Sequence, residues 1–254
     1  MTPDEYLQSL ISRYHVTAGQ INPASIVYDS ISPIIKAWAG SQLREIKYSG
    51  SYAKGTAIHG GTDIDLFISL KSDTQQTLQQ IYNMLYDKMN NAGYLGIRKQ
   101  NVSIHVNHAG FEVDLVPAVH LGGNTEDHWL YVNRANRERT KTNVDAHISM
   151  VRNSGRIGEI VLAKIWRKNH NIDIPSIYLE LIVIESLKYS RSGLGDNLLK
   201  VLDYLSNSFV LARFVDPANT NNIISDELNA TEKQTIANQA LQSRRGQNWG
   251  GIIW

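Results

Sequence analysis

The feature that most constrains the fold is an alternating segment, Asp63-Ile64-Asp65-Leu66-Phe67-Ile68. Residues two apart on a β-strand point to the same face, so Asp63 and Asp65 project together while Ile64 and Leu66 face the opposite side. Two neighbouring carboxylates repel each other, and such a pair persists best when a cation lies between them. Oxygen ligands suit Mg²⁺ or Mn²⁺ rather than zinc. The segment therefore predicts a strand that carries a divalent-metal site.

A second acidic strand is predicted later in the chain. Asp114 lies within Phe111–Val116, where its apolar neighbours are expected to face the opposite way. If this strand lies beside the first, three carboxylates meet at one point. Three carboxylates can hold two metal ions about 4 Å apart, an arrangement used for in-line phosphoryl or nucleotidyl transfer. We predict Asp63, Asp65 and Asp114 as catalytic residues and as ligands of two Mg²⁺ (or Mn²⁺) ions.

A glycine-rich turn, Gly50–Thr56, lies between a strand candidate at residues 44–48 and the first acidic strand, and it is able to open a helix. Such a turn offers backbone N–H groups and a hydroxyl to phosphate oxygens. It matches neither a Walker A loop nor the G-x-G-x-x-G pattern of a dinucleotide site. We predict Gly50 and Ser51 as nucleotide-binding residues. Lys54 is a further candidate, and simple exposure to solvent is an equally good explanation for a lysine in a turn.

The rest of the pattern predicts a mixed architecture. Apolar residues recur at helical spacing in the first forty residues and through most of the chain after residue 143. A further helix is predicted to be capped by Asp73 or Thr74 and to run to residue 91. Residues 102–106 and 111–116 predict a β-hairpin, whereas residues 124–139 look loop-rich. We predict an α/β (α+β) palm with N-terminal helices over residues 1–142 and an all-helical lobe over residues 143–254. The later helices are expected at residues 144–152, 156–169, 176–190, 196–208 and 231–243.

Composition excludes several classes of function. The 254 residues contain no cysteine, which excludes disulfides, thiol nucleophiles and cysteine-ligated zinc. Neither a basic signal-peptide start nor an uninterrupted apolar span is visible, so we expect a cytoplasmic protein with no membrane partner. Residues 134–168 carry nine basic residues against three acidic ones. That balance suits an anionic ligand beside metal ions, although a solvated helical surface is the simpler explanation.

Taken together, these motifs resemble a known superfamily. Gly50-Ser51, Asp63-Ile64-Asp65 and Asp114 in "VDLVPA" are similar to the nucleotidyltransferase superfamily of DNA polymerase β. Within it, "GSYAKGT" followed by "DIDLFISL" resembles two groups, the archaeal-type CCA-adding enzymes and the bacterial cyclic-oligonucleotide synthases (CD-NTases), which are relatives of the oligoadenylate synthetases. The likeness extends to "ERTKTNVDAHISMV", "LAKIWRKNH", "IPSIYLELI" and "VDPANTNNI", and so covers nearly the whole chain from about residue 44. The sequence has no counterpart of the tRNA-gripping domains of CCA-adding enzymes, which favours the second group.

The resemblance also implies roles for residues outside the palm motifs. Lys164 and Ser176 would contact the triphosphate, Ser51 its terminal phosphates and Thr142 the same region. From the residues alone, Lys164 fits a solvated helix surface, and Ser176, which follows Pro175, fits a helix N-cap. The resemblance also implies that Asp216-Pro217, together with Asn221-Asn222, forms a structural turn that packs the helical lobe onto the palm.

The function that follows is a Mg²⁺-dependent, template-independent nucleotidyltransferase. It would join NTPs into a short cyclic or linear oligonucleotide with release of pyrophosphate. In bacteria the resemblance implies antiphage signalling through a separate effector, with no long nucleic acid required. Two alternatives stay open: transfer of nucleotides to an RNA 3′ end or a protein hydroxyl, and a non-catalytic module that senses nucleotides.

Three further features have structural interpretations. Tyr178 could stack on a base, but core packing is the better interpretation because apolar residues surround it. Glu112 shares a face with Asp114 and is interpreted as an ordinary polar strand residue rather than a fourth acid. The apolar ending Trp249–Trp254 is expected to dock on the helical lobe.

Overall fold

The computed structural model describes residues 1–16, 23–61, 63–134 and 137–254. The helices in these ranges are α1 (Pro3–Tyr14), α2 (Pro23–Ala39), α3 (Gly50–Lys54), α4 (Leu78–Asn91), α5 (Val144–Asn153), α6 (Ile157–Asn169), α7 (Ser176–Ser186), α8 (Leu194–Asn207), α9 (Ala230–Arg244) and α10 (Trp249–Ile252). The strands are β1 (Leu43–Tyr48), β2 (Ile64–Leu70), β3 (Leu95–Lys99), β4 (Ile104–His108), β5 (Phe111–His120), β6 (His128–Arg134), β7 (Arg137–Thr142), β8 (Val215–Asp216) and β9 (Asn219–Ile223). The predicted mixed fold, a central sheet together with an extensive helical part, is confirmed.

The chain forms two compact units. The sheet unit comprises Thr17–Lys54 and Thr62–Ile148, and the helical unit comprises Met1–Val16, Gly55–Gly61 and Ser149–Trp254. The first helix, α1, packs against α6 and α8 and so belongs to the helical unit, whereas α2 packs against β1 and β2 of the sheet unit. The two N-terminal helices that we grouped with the palm are thus divided between the two units.

The sheet unit is built on seven strands. The order β1-β2-β5-β4-β3 forms the main path, and the long strand β5 also pairs with β6, which pairs with β7. Only the β2–β5 pairing is parallel among those described, and the other strand pairs of this sheet are antiparallel. The predicted hairpin is present as β4 and β5, and its turn places Ala109 and Gly110 at positive φ angles of 52° and 81°.

The two faces of the sheet differ in chemistry. One face is a continuous apolar core that includes Ile64, Leu66, Val113 and Leu115, with α2 and α4 packed against its strands. Because side chains alternate along a strand, the residues between these apolar positions project from the other face. That second face carries the aspartates of β2 and β5 at one end and a small cluster of Phe67, Ala118 and Leu130 farther along.

The predicted start of α4 is wrong by one turn. Thr77 is the N-cap: its hydroxyl accepts from the Gln80 backbone N–H at 3.2 Å, and the Gln80 side chain accepts from the Thr77 N–H at 2.8 Å. This reciprocal capping box satisfies two of the free N–H groups at a helix start. Thr74 instead donates its hydroxyl to the Lys71 carbonyl and to Gln42.

The loop-rich interpretation of residues 124–139 is also wrong, because β6 and β7 pair there as an antiparallel hairpin. In β6 the side chains of His128, Leu130 and Val132 are buried while Trp129 and Tyr131 are only partly so. That is the period-2 pattern of a strand with one covered face. The polar residues of β7 concealed it in the sequence.

The helical unit has its own apolar core. The helices predicted after residue 143 are present as α5 to α9, and the buried side chains of α6 and α7 include Trp166 and Tyr178. Tyr178 packs its ring against Phe209 and Phe214, which confirms the core-packing interpretation.

The C-terminal segment docks on the helical unit, as predicted. The Tyr6 hydroxyl donates to the Ile253 carbonyl at 2.9 Å, and the Trp254 N–H donates to Asn169 at 2.8 Å. In the described part of the chain, no helix combines the length and apolar character needed to cross a membrane.

Candidate active site

The two acidic strands are direct neighbours. In the parallel β2–β5 pairing, Asp65 lies opposite Asp114, and Ile64 lies opposite Val113. Adjacent strands are about 4.8 Å apart, so the two aspartates start from neighbouring positions on the same face of the sheet. Asp63 is two residues before Asp65, immediately ahead of β2. The geometry thus brings the three predicted acids to one end of two adjacent strands.

Gly50 lies directly against the Asp65 carboxylate. It opens α3 with a φ angle of +55°, a backbone conformation that residues with a Cβ rarely adopt. A Cβ atom at this position would come within 1.8 Å of the Asp65 Oδ2 atom. The Ser49 N–H also donates to the Asp65 backbone carbonyl at 2.9 Å. The Gly50-Ser51 turn therefore lies directly against the first acidic strand, and a Cβ at position 50 would conflict with the present position of the Asp65 carboxylate.

His105 and Ser103 are the hydrogen-bonding neighbours of the Asp114 carboxylate. His105, which lies opposite Asp114 in the β4–β5 pairing, has its Nδ1 atom 2.9 Å from Oδ1. The Ser103 hydroxyl lies 3.3 Å from Oδ2 and 2.6 Å from Gln100 Oε1, so its single proton is shared between two acceptors. The His105 side chain is fully buried, and the Asp114 side chain keeps 15% of its surface exposed. The Asp114 carboxylate is thus held on its buried side by His105, while part of it remains exposed at the surface.

Asp63 experiences the charge of the other acids. Partial desolvation, followed by repulsion from Asp114 and Glu112, raises the pKa of the Asp63 carboxyl, and His105 and Arg98 act in the opposite direction. Such crowding disfavours the ionised form and is relieved by a bound cation. Glu112 is exposed and lies opposite Asn107 in the β4–β5 pairing, consistent with an ordinary strand position.

The donors of this group are chemically suited to a hard divalent cation, because Asp63, Asp65 and Asp114 offer only carboxylate oxygens. Within the described parts of the chain, however, no three or more His, Asp or Glu side chains are arranged as a ready-made metal site. Nucleotidyltransferases of this fold use divalent metal ions. The residues fit such ions by chemistry, and their assignment as ligands stays a prediction.

Lys164 forms a buried ion pair with Glu180. Its side chain is fully buried in the helical unit, where the ammonium donates to Glu180 at 2.8 Å and to the Thr56 hydroxyl at 2.8 Å. Glu180 is also fully buried, and the Thr56 hydroxyl donates to it at 3.3 Å. The solvated-surface interpretation of Lys164 is therefore wrong. Its role at a triphosphate stays a prediction that would require the ammonium to leave this carboxylate.

The remaining predicted nucleotide-binding residues lie on several elements. Ser51 and Lys54 are in α3 and are largely buried, and Thr142 ends β7 opposite His128. Ser176 is the first residue of α7 and not its N-cap, and its hydroxyl accepts from the Arg167 guanidinium at 3.0 Å. Contacts of these four residues with a nucleotide stay predictions.

Sequence reasoning did not identify His105 or Ser103. Both alternate with apolar residues in the segment Ser103-Ile104-His105-Val106, a pattern that predicts one face but not which strand lies opposite. The role of His105 can be recognised only once the strand register is known, because the register places His105 opposite Asp114.

The sheet and its acids define a class. A mixed sheet with a Gly-Ser turn against one aspartate and a second aspartate on the adjacent parallel strand is the palm of a nucleotidyltransferase, and the chain is an enzyme of that class. A family model described as "Second Messenger Oligonucleotide or Dinucleotide Synthetase domain" matches residues 1–154. The chain belongs to this family, whose members are nucleotidyltransferases that make second messengers. The resemblance to CD-NTases is thereby confirmed.

Solved structures share the fold over nearly the whole chain. The structure of CdnC from E. coli MS115-1 with ATP has 17% sequence identity and a TM-score of 0.77, and the match covers 98% of this chain and 94% of the CdnC chain. The structure of the complex of CdnC with HORMA-deltaN has 18% identity and a TM-score of 0.75, with the same two coverages. The structure of CdnE from Elizabethkingia meningoseptica, a cyclic dinucleotide synthase with GTP and Apcpp, has 14% identity and a TM-score of 0.70. The match covers 96% of this chain and 98% of the CdnE chain. The structure of the Cid1 poly(U) polymerase bound to MgATP has 13% identity and a TM-score of 0.69, and the match covers 98% of each chain. At these identities the likeness shows the fold alone. A search of curated proteins found no match.

Proposed function

We propose that this protein joins NTPs into a short free oligonucleotide, cyclic or linear, with release of pyrophosphate. The observation that carries the proposal is the side-by-side placement of Asp65 and Asp114 on adjacent parallel strands, with Gly50 pressed against the first carboxylate. This arrangement supports nucleotidyl transfer because it gathers acidic charge at one end of the sheet beside a turn rich in N–H groups.

In this proposal each acid has a distinct task. Asp63, immediately ahead of β2, and Asp65, within β2, would each bind both of two Mg²⁺ (or Mn²⁺) ions. Asp114, on the neighbouring strand, would bind the ion on the acceptor side and orient the acceptor 3′-hydroxyl. When bound, divalent ions make such a hydroxyl more acidic and offset the charge of the phosphates.

The phosphates are proposed to bind at the Gly50-Ser51 turn. The positive φ angle of Gly50 lets the backbone turn tightly over Asp65, so that Ser51 follows at the start of α3. We include Ser51, Lys54 and Thr142 of the sheet unit as phosphate contacts. The buried pairing of Lys164 with Glu180 favours a structural role for Lys164. The contact between Ser176 and the triphosphate is retained from the family resemblance.

The product is proposed to act as a signal in bacterial antiphage defence, through a separate effector protein in the cytoplasm. Membership of a family that makes oligonucleotide or dinucleotide second messengers supports this role. Transfer of nucleotides to an RNA 3′ end is the second candidate, favoured by the likeness to Cid1 over 98% of both chains.

Product analysis separates the two candidates. Purified protein is incubated with Mg²⁺ and an equimolar mixture of the four NTPs, with and without added RNA, and the products are resolved by mass spectrometry. We expect pyrophosphate and a short oligonucleotide from NTPs alone. The Asp114→Asn variant is the control for contaminating polymerases. Product that appears only with RNA, as an extended 3′ end, would replace the signalling proposal with the second candidate.

A further inference from the structure

Building on the proposed role of Asp114, we propose that His105 is a positioning residue that fixes the orientation of the Asp114 carboxylate for nucleotidyl transfer. His105 would not touch the substrate, because its side chain is fully buried behind the acid.

The hydrogen bond between the two residues follows from the sheet register. His105 and Asp114 are paired across the antiparallel strands β4 and β5, and their side chains share a face of the sheet. The Nδ1 atom lies 2.9 Å from Oδ1 of Asp114. An ionised carboxylate can only accept hydrogen bonds, so the Nδ1 atom carries the proton and donates it. Ser103 is a weaker partner, because its hydroxyl lies 3.3 Å from Oδ2 and 2.6 Å from Gln100 Oε1 and has only one proton to donate. His105 is therefore the main donor to this carboxylate.

The far side of the imidazole ring is held as well. The Nε2 atom lies 3.2 Å from the side-chain amide of Asn107, which is two residues along the same strand. An amide can present either its oxygen or its nitrogen to the ring, so Asn107 can hydrogen-bond Nε2 whether or not that atom carries a proton. Gly96 on β3 leaves the space for this amide, since a Cβ there would lie 2.4 Å from the nearest atom of the amide. The ring is therefore clamped between Asn107 and Asp114.

Fixing the carboxylate matters because its terminal torsion is soft. The χ2 angle of an aspartate is broadly distributed, so an unsupported carboxylate samples orientations that point its oxygens away from their target. Carboxylates that bind metal ions are usually hydrogen-bonded from behind, and removing such a partner costs about 10–100-fold in metal affinity or activity. His105 occupies that position with respect to Asp114.

Two substitutions with the same branched skeleton separate positioning from packing. His105→Asn keeps an N–H donor near the place of Nδ1, and His105→Leu has no donor but fills at least as much space. We expect His105→Leu to lower kcat about 10–100-fold, to leave the nucleotide KM nearly unchanged and to raise the Mg²⁺ concentration needed for half-maximal rate. His105→Asn should recover most of that loss. His108→Leu, on the same strand but bonded to Ser30, is the matched control and should keep full activity.

Thermal unfolding of each variant accompanies the kinetics. If His105→Leu is too unstable to assay, His105→Gln takes its place, because its donor lies near the Nε2 position and the same loss is expected. Normal kcat in a folded His105→Leu variant, or in His105→Gln where that takes its place, would overturn the positioning role, as would equal losses in the Asn and Leu variants. Asp114→Asn serves as the reference: if it is inactive while His105→Leu is normal, only this inference fails. If Asp114→Asn is itself active, the proposed site fails.

Discussion

Replacing Gly50 with alanine tests whether the glycine turn positions Asp65. The substitution adds one methyl group at a residue whose φ angle is +55°. The new Cβ atom would lie 1.8 Å from Oδ2 and 2.5 Å from Cγ of Asp65. The methyl group and the carboxylate cannot both keep their places, and the short aspartate side chain is the part that can rotate.

The size of the effect follows from these distances. Real Cβ atoms essentially never come within 3.0 Å of another heavy atom. To reach that distance from the new Cβ atom, the Asp65 Oδ2 atom must move by about 1.2 Å. A displacement of about 1 Å in a catalytic group can cost on the order of 100-fold in rate, or about 2.7 kcal/mol in activation free energy. An alanine with a left-handed backbone adds about 1–2 kcal/mol of strain to the folded state.

Gly110→Ala separates the two effects. Gly110 has a φ angle of +81° in the β4–β5 turn, and nothing lies within 4 Å of an added Cβ. This variant carries the backbone strain without disturbing the acids. Both variants should therefore lose about 1–2 kcal/mol of unfolding free energy, and only Gly50→Ala should lose activity.

The assay measures pyrophosphate release from NTPs at saturating Mg²⁺, beside urea unfolding of wild type and both variants. We expect kcat to fall at least about 100-fold for Gly50→Ala and to stay near the wild-type value for Gly110→Ala. Normal turnover by a folded Gly50→Ala variant would refute the reasoning, because it would mean that the orientation of Asp65 is not limiting.

Two further predictions concern buried ionisable groups. Lys164→Met should destabilise the helical unit by about 3–5 kcal/mol because it leaves Glu180 buried without its ammonium, and adding Glu180→Leu should restore most of the loss in urea unfolding. A stable Lys164→Met protein with a raised nucleotide KM would instead return Lys164 to the triphosphate. Burial lowers the pKa of His128 below its ordinary 6.5, so the unfolded chain takes up the proton first. Stability should be full above pH 6.5 and fall as the pH drops below it, and His128→Gln should flatten this part of the profile.

The acidic strands could be predicted from the sequence because their information is local. Alternation around Asp65 and Asp114 indicates strands, each with one buried face, and the glycine before them indicates a tight turn. The later helices have the same local origin in helical periodicity. By contrast, the β6–β7 hairpin is hidden because polar residues on its open face obscure the alternation.

Long-range pairing explains the rest of what the sequence did not reveal. Lys164 looks like one member of a basic helix surface, yet its partners Thr56 and Glu180 are 108 and 16 residues away. His105 looks like one of eight scattered histidines until the register places it opposite Asp114. In both cases the decisive fact is which side chain lies across the fold, and no local pattern carries that information.

The most direct test of the acidic site is Asp114→Asn, measured for both binding and turnover. The substitution keeps the shape of the side chain and removes one charge, while Asp63, Asp65 and Ser51 stay in place. Calorimetric titration with a non-hydrolysable NTP and Mg²⁺ should give nearly the wild-type affinity, whereas pyrophosphate release should be essentially absent, because the loss is confined to the transition state. Appreciable turnover by this variant would contradict the account and would point to another acid, with Glu112 the nearest candidate on the same face.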